Sequence, residues 1–259
     1  MDFKIGDLVT RRSHGNDIIF KIVDIDGDCV FLKGFNVRLI ANANINDLNF
    51  YNNEDIEEEK EFLDRITKPL ELNRDDYFYL PGKILHIDSD PDYLSRCLDY
   101  YEKAHVWAVG VNKKEDEITS DIYDLLSYYK PNILVITGHN AYDKKISLND
   151  ISAYKNSLFF ASAIKKAREY EESHEKLIII SGGCGSYYEE LIKAGANFAS
   201  SPKRINIHAL DPAIIAVKMS LSDINKNIDL KNILEQTKYG KDGMGGIITR
   251  GTMYVGYPR

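Results

Sequence analysis

Cysteine is scarce in this chain: Cys29, Cys97 and Cys184 are the three among 259 residues. An odd count, in a chain large enough to bury a core of its own, argues against a disulfide framework and for a reducing compartment. Long apolar runs are missing as well; none approaches the roughly 20 residues of a membrane span. The acidic, strand-like start Met1–Asp7 has no apolar stretch behind basic residues, so no signal peptide is expected. Nor is there a basic excess. The formal net charge is −7, and the basic pairs Arg11-Arg12, Lys144-Lys145 and Lys165-Lys166 are short and scattered. Phosphate contacts need clustered Lys and Arg, so nucleic acid is not an expected partner. His86, His105, His174 and His208 stand singly, without metal-ligand spacing. The glycine-rich stretches lack both the lysine of a phosphate-binding loop and the spacing of a dinucleotide fingerprint. These absences predict a protein made and kept in the cytoplasm, with no metal, cofactor, membrane or nucleic-acid partner.

What is present divides into three. Residues 1–52 read as a small SH3-like β-barrel, from short alternating runs at Asp7–Arg11, Ile18–Asp24, Cys29–Gly34 and Val37–Ala41 separated by Gly/Asn/Asp turns. Residues 53–79 form an acidic connector, opening Asn53-Glu54-Asp55 and running helically to about Ile66 before Pro69. Residues 80–259 alternate strand and helix. Strands are expected at Lys83–Asp88, His105–Val111, Pro131–Thr137, Lys176–Ser181, Ala196–Ala199 and Ile205–Ala209. Helices are expected from Asp90-Pro91 to about Lys103, at Thr119–Tyr129, Ile151–Tyr170 (capped by Asn149 or Asp150), Tyr187–Ala194, Asp211–Met219 and Leu230–Glu235. A strand-like Ile247–Val255 closes the chain. Such alternation implies an α/β fold with a mainly parallel sheet and flanking helices.

Two of these strands end in reactive residues. The run Pro131–Thr137 breaks at Gly138-His139-Asn140, and Lys176–Ser181 breaks at Gly182-Gly183-Cys184-Gly185-Ser186. Apolar runs bounded by glycine read as strands buried on both faces. In a parallel sheet their C-terminal ends lie side by side, where α/β folds place their chemistry. His139 would then meet Cys184 across 45 residues (184 − 139), close to the separation of about 50 that caspase-like enzymes use. The thiol would sit before a helix start near Tyr187, which favours thiolate. His139 would manage the proton, and the backbone N–H groups of Asn140 and Cys184 would hold an oxyanion. Cys29 and Cys97 fall inside a strand and a helix and read as packing residues. His86-Ile87-Asp88 places a polar pair at a strand end and is read as strand-end polarity.

At these residues the chain resembles the YabG-type sporulation peptidases of endospore-forming bacteria. The likeness runs through Phe3-Lys4-Ile5-Gly6-Asp7-Leu8-Val9, Thr137-Gly138-His139-Asn140, Ser181-Gly182-Gly183-Cys184-Gly185-Ser186 and Gly246-Ile247 to Gly251-Thr252, covering essentially the whole chain. It implies a caspase-like cysteine endopeptidase acting on proteins of the spore coat and cortex machinery in the mother cell. It also implies cleavage after basic residues, chiefly arginine, and self-processing. A buried guanidinium must be paired, so an acidic residue is expected in the pocket; Asp211, Asp143 and Asp242 are the candidates, with Asp211 also placed to cap a helix. Arg11-Arg12 and Arg250 are candidate self-cleavage sites. Two other classes fit parts of the pattern: a thiol-dependent amidohydrolase or amidotransferase on a flavodoxin-like sheet, and a non-enzymatic spore-assembly scaffold working through the barrel.

Overall fold

The computed structural model describes residues 3–51, 56–68, 72–140, 142, 146–147 and 150–258. Its first strands, β1 (Leu8–Arg11), β2 (Phe20–Asp26), β3 (Cys29–Gly34), β4 (Ile40–Asn44) and β5 (Leu48–Phe50), form an antiparallel sheet in the order β4-β3-β2-β1-β5. Alternation selects the inward face: Val9, Phe20, Ile22, Val30, Leu32 and Leu48 pack together, while Lys21, Val23 and Phe31 point outward. Sequence pattern places a strand at Val37–Ala41, but β4 starts only at Ile40. The reason is tertiary: residues 36–38 leave this sheet and are drawn against the following α/β unit, through Ala209, His208 and Asp88.

The helix α1 (Ile56–Ile66) buries Phe62 and Ile66 against that unit. There the chain runs β6 (Phe78–Leu80), β7 (Ile84–Asp88), α2 (Pro91–Lys103), β8 (Ala108–Asn112), α3 (Ile118–Tyr129), β9 (Ile133–Thr137), α4 (Ser157–Tyr170) and β10 (Ile178–Gly182). It continues through α5 (Tyr188–Lys193), β11 (Phe198–Ser200), α6 (Asp211–Ser220), α7 (Leu230–Glu235), α8 (Gly240–Gly243), β12 (Met244–Gly246) and β13 (Tyr254–Gly256). Six strands make one sheet, β12-β11-β10-β9-β7-β8, parallel throughout except where β12 meets β11. β6 and β13 pair separately.

Every residue of β7, β9 and β10 is buried, as unbroken apolar runs require. Their side chains alternate between two layers. Ile84, Val135 and Ile180 meet Tyr101 of α2 and Ile214 of α6; Leu85, Ile136 and Ile179 meet Ile122 of α3 and Phe160 of α4. Asp90 starts α2 by accepting the backbone N–H groups of Asp92 and Tyr93, with Pro91 at the first position. The strand order reverses between β7 and β9, and the crevice beyond the carboxyl ends of strands at such a point is where α/β sheets bind ligands.

Three further expected elements differ. Ile205–Ala209 joins no sheet; Ile207 and Ala209 are buried, and its one bridge runs antiparallel from His208 to Val37. The helix expected from Ile151 is split: Asp150 accepts the Ser152 N–H over a short 3-10 turn, and α4 begins at Ser157. Asn149 lies outside the described residues. The closing strand shrinks to Tyr254–Gly256, with only single bridges at Arg250 and Met253 before it.

Candidate active site

β9 and β10 are parallel neighbours with Thr137 opposite Gly182, so the turns Gly138-His139-Asn140 and Gly183-Cys184-Gly185 leave the sheet side by side. Their contact is close: a Cβ on Gly183 would sit 2.3 Å from the Gly138 carbonyl oxygen. Asn140 ties the two turns together. Its Nδ2 donates to the carbonyls of Cys184 (3.3 Å) and Gly185 (3.1 Å), and its Oδ1 accepts the Asn156 N–H at 2.8 Å. From outside, Asn156 Nδ2 donates to the His139 carbonyl (2.7 Å), and Glu115 accepts the His139 N–H (2.9 Å). The backbone N–H groups of Asn140 and Cys184 have no acceptor among the described residues.

His139 is partly buried, beside the ring of Tyr93. Its Nε2 faces Asp90 Oδ2 at 2.9 Å, and its Nδ1 faces the Arg38 carbonyl at 3.3 Å. Asp90 also accepts from Lys33 Nζ at 2.8 Å. Burial works against its charge, yet the bonds from His139 and Lys33 hold its carboxyl well below the ordinary range. A third group that fixes the imidazole is what a histidine acting on a nucleophile needs.

The Cys184 thiol is buried between Ile207 and Arg38. Sγ donates to the Ile207 carbonyl (3.8 Å) and accepts the Ile207 N–H (3.4 Å). Burial pushes the thiol up to about 11, against the pull of the Ile207 and Arg38 backbone N–H groups. In this arrangement it is therefore protonated at neutral pH. The helix expected to favour thiolate starts at Tyr188, four residues on (188 − 184), and spans six residues; burial sets the thiol instead. Cys97 is a core thiol, pushed by burial to about 12, and Cys29 opens β3.

One buried network stands beside the pair. Thr137 donates to Asp88 Oδ2 at 2.7 Å and must therefore accept from His86 Nε2, also at 2.7 Å. His86 Nδ1 then accepts from the Tyr101 hydroxyl at 2.9 Å. Asp88 receives the fully buried Arg38 guanidinium. Burial raises the Asp88 carboxyl, but Arg38 and His86 more than offset it and bring it down to about 2. Burial opposes protonation of His86 and lowers it.

The three acidic candidates lie elsewhere or outside view. Asp211 is buried, with Oδ2 on the His208 N–H (3.0 Å) and Oδ1 on the Lys238 N–H (2.8 Å), and burial raises its carboxyl. Asp242 is exposed on α8. Asp143 lies outside the described residues. Arg12 donates to the Leu48 carbonyl and Arg250 is exposed near Glu175, so both flank other parts of the surface. Sequence reasoning missed Asp90, because an aspartate before proline reads as a helix cap. The available signal was its place just past a parallel strand that neighbours the His139 strand.

No set of three or more His, Cys, Asp or Glu side chains able to hold a metal occurs among the described residues. Among the same residues, no helix is long and apolar enough to cross a membrane.

The comparisons with known proteins agree on the class. The family model described as YabG peptidase U57 matches residues 4–258. The sporulation-specific protease YabG of Bacillus subtilis (strain 168) is 38% identical over 286 residues, covering 100% of this chain and 99% of that protein. By both measures the chain belongs to the YabG peptidase family.

Proposed function

We propose that this chain is a sporulation cysteine endopeptidase in which Cys184 is the nucleophile and His139 the acid/base. The observation that carries the reading is the pairing of the two turns, with Asp90 2.9 Å from the outer nitrogen of His139. In the proposed reaction His139 takes the Cys184 proton, and the thiolate adds to a peptide carbonyl. The resulting oxyanion is held by the N–H groups of Asn140 and Cys184. The amine leaves with the proton from His139, and water then hydrolyses the thioester. Asp90 positions the imidazole and stabilises its charged form.

Strand order, with His139 beside the switch point and Cys184 at the end of the next strand, supports a caspase-like arrangement, and the small antiparallel sheet supports an SH3-like accessory unit on residues 1–52. Family membership supports spore proteins as substrates in the mother cell, self-processing, and a preference for arginine before the cut bond. Asp211 spends both oxygens on backbone N–H groups, so the partner of a substrate arginine is sought elsewhere. The test is alkylation with an arginyl chloromethyl ketone followed by peptide mapping. The reading expects an adduct on Cys184 that is lost in His139→Ala; equal labelling of Cys29 and Cys97 with none on Cys184 would contradict it.

A further inference from the structure

The segment between β3 and β4 lies across the site as a bound peptide would. The Asn36 carbonyl accepts the Ala209 N–H at 2.9 Å, and Val37 bridges antiparallel to His208. The Tyr93 hydroxyl lies 2.5 Å from the Gly34 carbonyl and 2.7 Å from the Val37 carbonyl, its one hydrogen shared between them. This is the strand-addition mode of peptide recognition, main chain against main chain with one side chain in a pocket. The pocketed side chain is Arg38, fully buried, with its guanidinium on Asp88 and on the Ala209 carbonyl (2.9 Å). Leu39 N–H closes a tight turn on the Val37 carbonyl at 2.8 Å. The Arg38 carbonyl is left facing His139 Nδ1 at 3.3 Å, and the Arg38 N–H bears on the Cys184 sulfur.

A structural ion pair would account for the buried guanidinium, but not for the position of the Arg38 carbonyl. Buried pairs of this kind are weak stabilisers compared with apolar packing, so stability alone does not call for one here. The antiparallel bridge at Val37, the pocketed Arg38 side chain and the Arg38 carbonyl beside His139 belong to one short segment.

We propose that residues 36–39 are the chain's own first substrate, that Asp88 is the residue selecting arginine, and that Arg38–Leu39 is the bond cut. This rests on the assignment of Cys184 and His139 above. Cys184 Sγ, its proton passed to His139, forms a bond to the Arg38 carbonyl carbon, and the carbonyl oxygen takes the electron pair as it turns from His139 Nδ1 to the N–H groups of Asn140 and Cys184. The Arg38–Leu39 C–N bond breaks, and the Leu39 amine leaves with the proton from His139. Water then cleaves the thioester, giving the Arg38 carboxylate and restoring the thiol. Until that bond opens, the segment closes the cleft to other substrates. Afterwards the two pieces stay joined, because β3 and β4 remain paired from Cys29↔Asn44 to Lys33↔Ile40.

The test is intact-mass analysis of the purified full-length chain over time, beside Cys184→Ala. The expected products are residues 1–38 and 39–259, co-eluting natively and separating in denaturant, with Cys184→Ala left whole. Arg38→Ala should not be cut there, and should hydrolyse an arginyl peptide at once where the unsubstituted chain shows a lag. That substitution leaves Asp88 buried without its partner, so mapping of the unsubstituted chain decides the matter even if the variant fails to fold. A chain that cleaves arginyl peptides through Cys184 yet stays whole at 38–39 overturns this inference and leaves the peptidase reading standing. Peptide cleavage by Cys184→Ala overturns both.

Discussion

Asp90→Asn separates the role of the carboxylate on His139 from its role in the fold. Asparagine keeps an oxygen for the backbone N–H groups of Asp92 and Tyr93, so α2 retains its cap. Lys33 retains Asp92, 2.6 Å away. What is lost is the negative charge 2.9 Å from His139 Nε2. A hydrogen bond involving charged groups contributes about 1.5–3 kcal/mol. It is strongest when the imidazole is protonated, which happens between attack and amine departure. At 1.36 kcal/mol per tenfold in rate, the expected fall in kcat is about 10- to 150-fold. The substituted amide also turns an N–H toward Nε2 or leaves a mismatch there, which favours the wrong tautomer. Asp90 touches no substrate atom in this account, so KM for an arginyl peptide should change less than about twofold. Initial rates over a range of peptide concentrations, with a melting curve to show that the variant is folded, measure both quantities. A folded Asp90→Asn with unchanged kcat would refute the positioning role.

Gly183→Ala should lose activity and stability together, because its new Cβ would fall 2.3 Å from the Gly138 carbonyl and push the His139 and Cys184 turns apart; thermal melting and peptide turnover read the two effects, and an active, wild-type-stable variant would contradict the close approach. Asn140→Ala leaves the Cys184 and Gly185 carbonyls and the Asn156 N–H without their partner; at about 1–3 kcal/mol per orphaned buried group, melting should fall by several degrees. Acid should weaken the fold through Asp88. Its folded value of about 2 lies below the ordinary 3.8, so its contribution is full above the ordinary value and is lost as pH falls towards 2. That shift corresponds to about 2 kcal/mol. Denaturant titrations of the Cys184→Ala chain at pH 6 and pH 2.5 should show this loss, and a smaller one in the same chain carrying Asp88→Asn.

The core sheet was legible because its signals are local. Ile133–Thr137 and Ile178–Gly182 are apolar runs closed by glycine, and Asp90-Pro91 announces a helix start. From those two runs, adjacency of the His139 and Cys184 turns followed from parallel-sheet geometry. The three-residue strands β5, β6 and β12 carry too few residues for a periodic signal. The fate of residues 36–38 was hidden for another reason. Val37–Ala41 alternates like a strand, but its first half pairs with His208, 171 residues away (208 − 37), and buries an arginine that local pattern would leave in solvent. Asp88 and Asp90 were read only in part for the same cause. Each has the local role the sequence suggests, at a strand end or a helix cap, and each also bonds to Arg38 or His139 across the fold.

The central claim is that Cys184, managed by His139, cuts peptide bonds. Its most direct test is the turnover of a peptide panel, differing only in the residue before the cut, by the full-length chain and by Cys184→Ala. Cleavage of the arginyl member by the unsubstituted chain and none by Cys184→Ala is the expected result, with both chains folded. Undiminished cleavage by folded Cys184→Ala would contradict it.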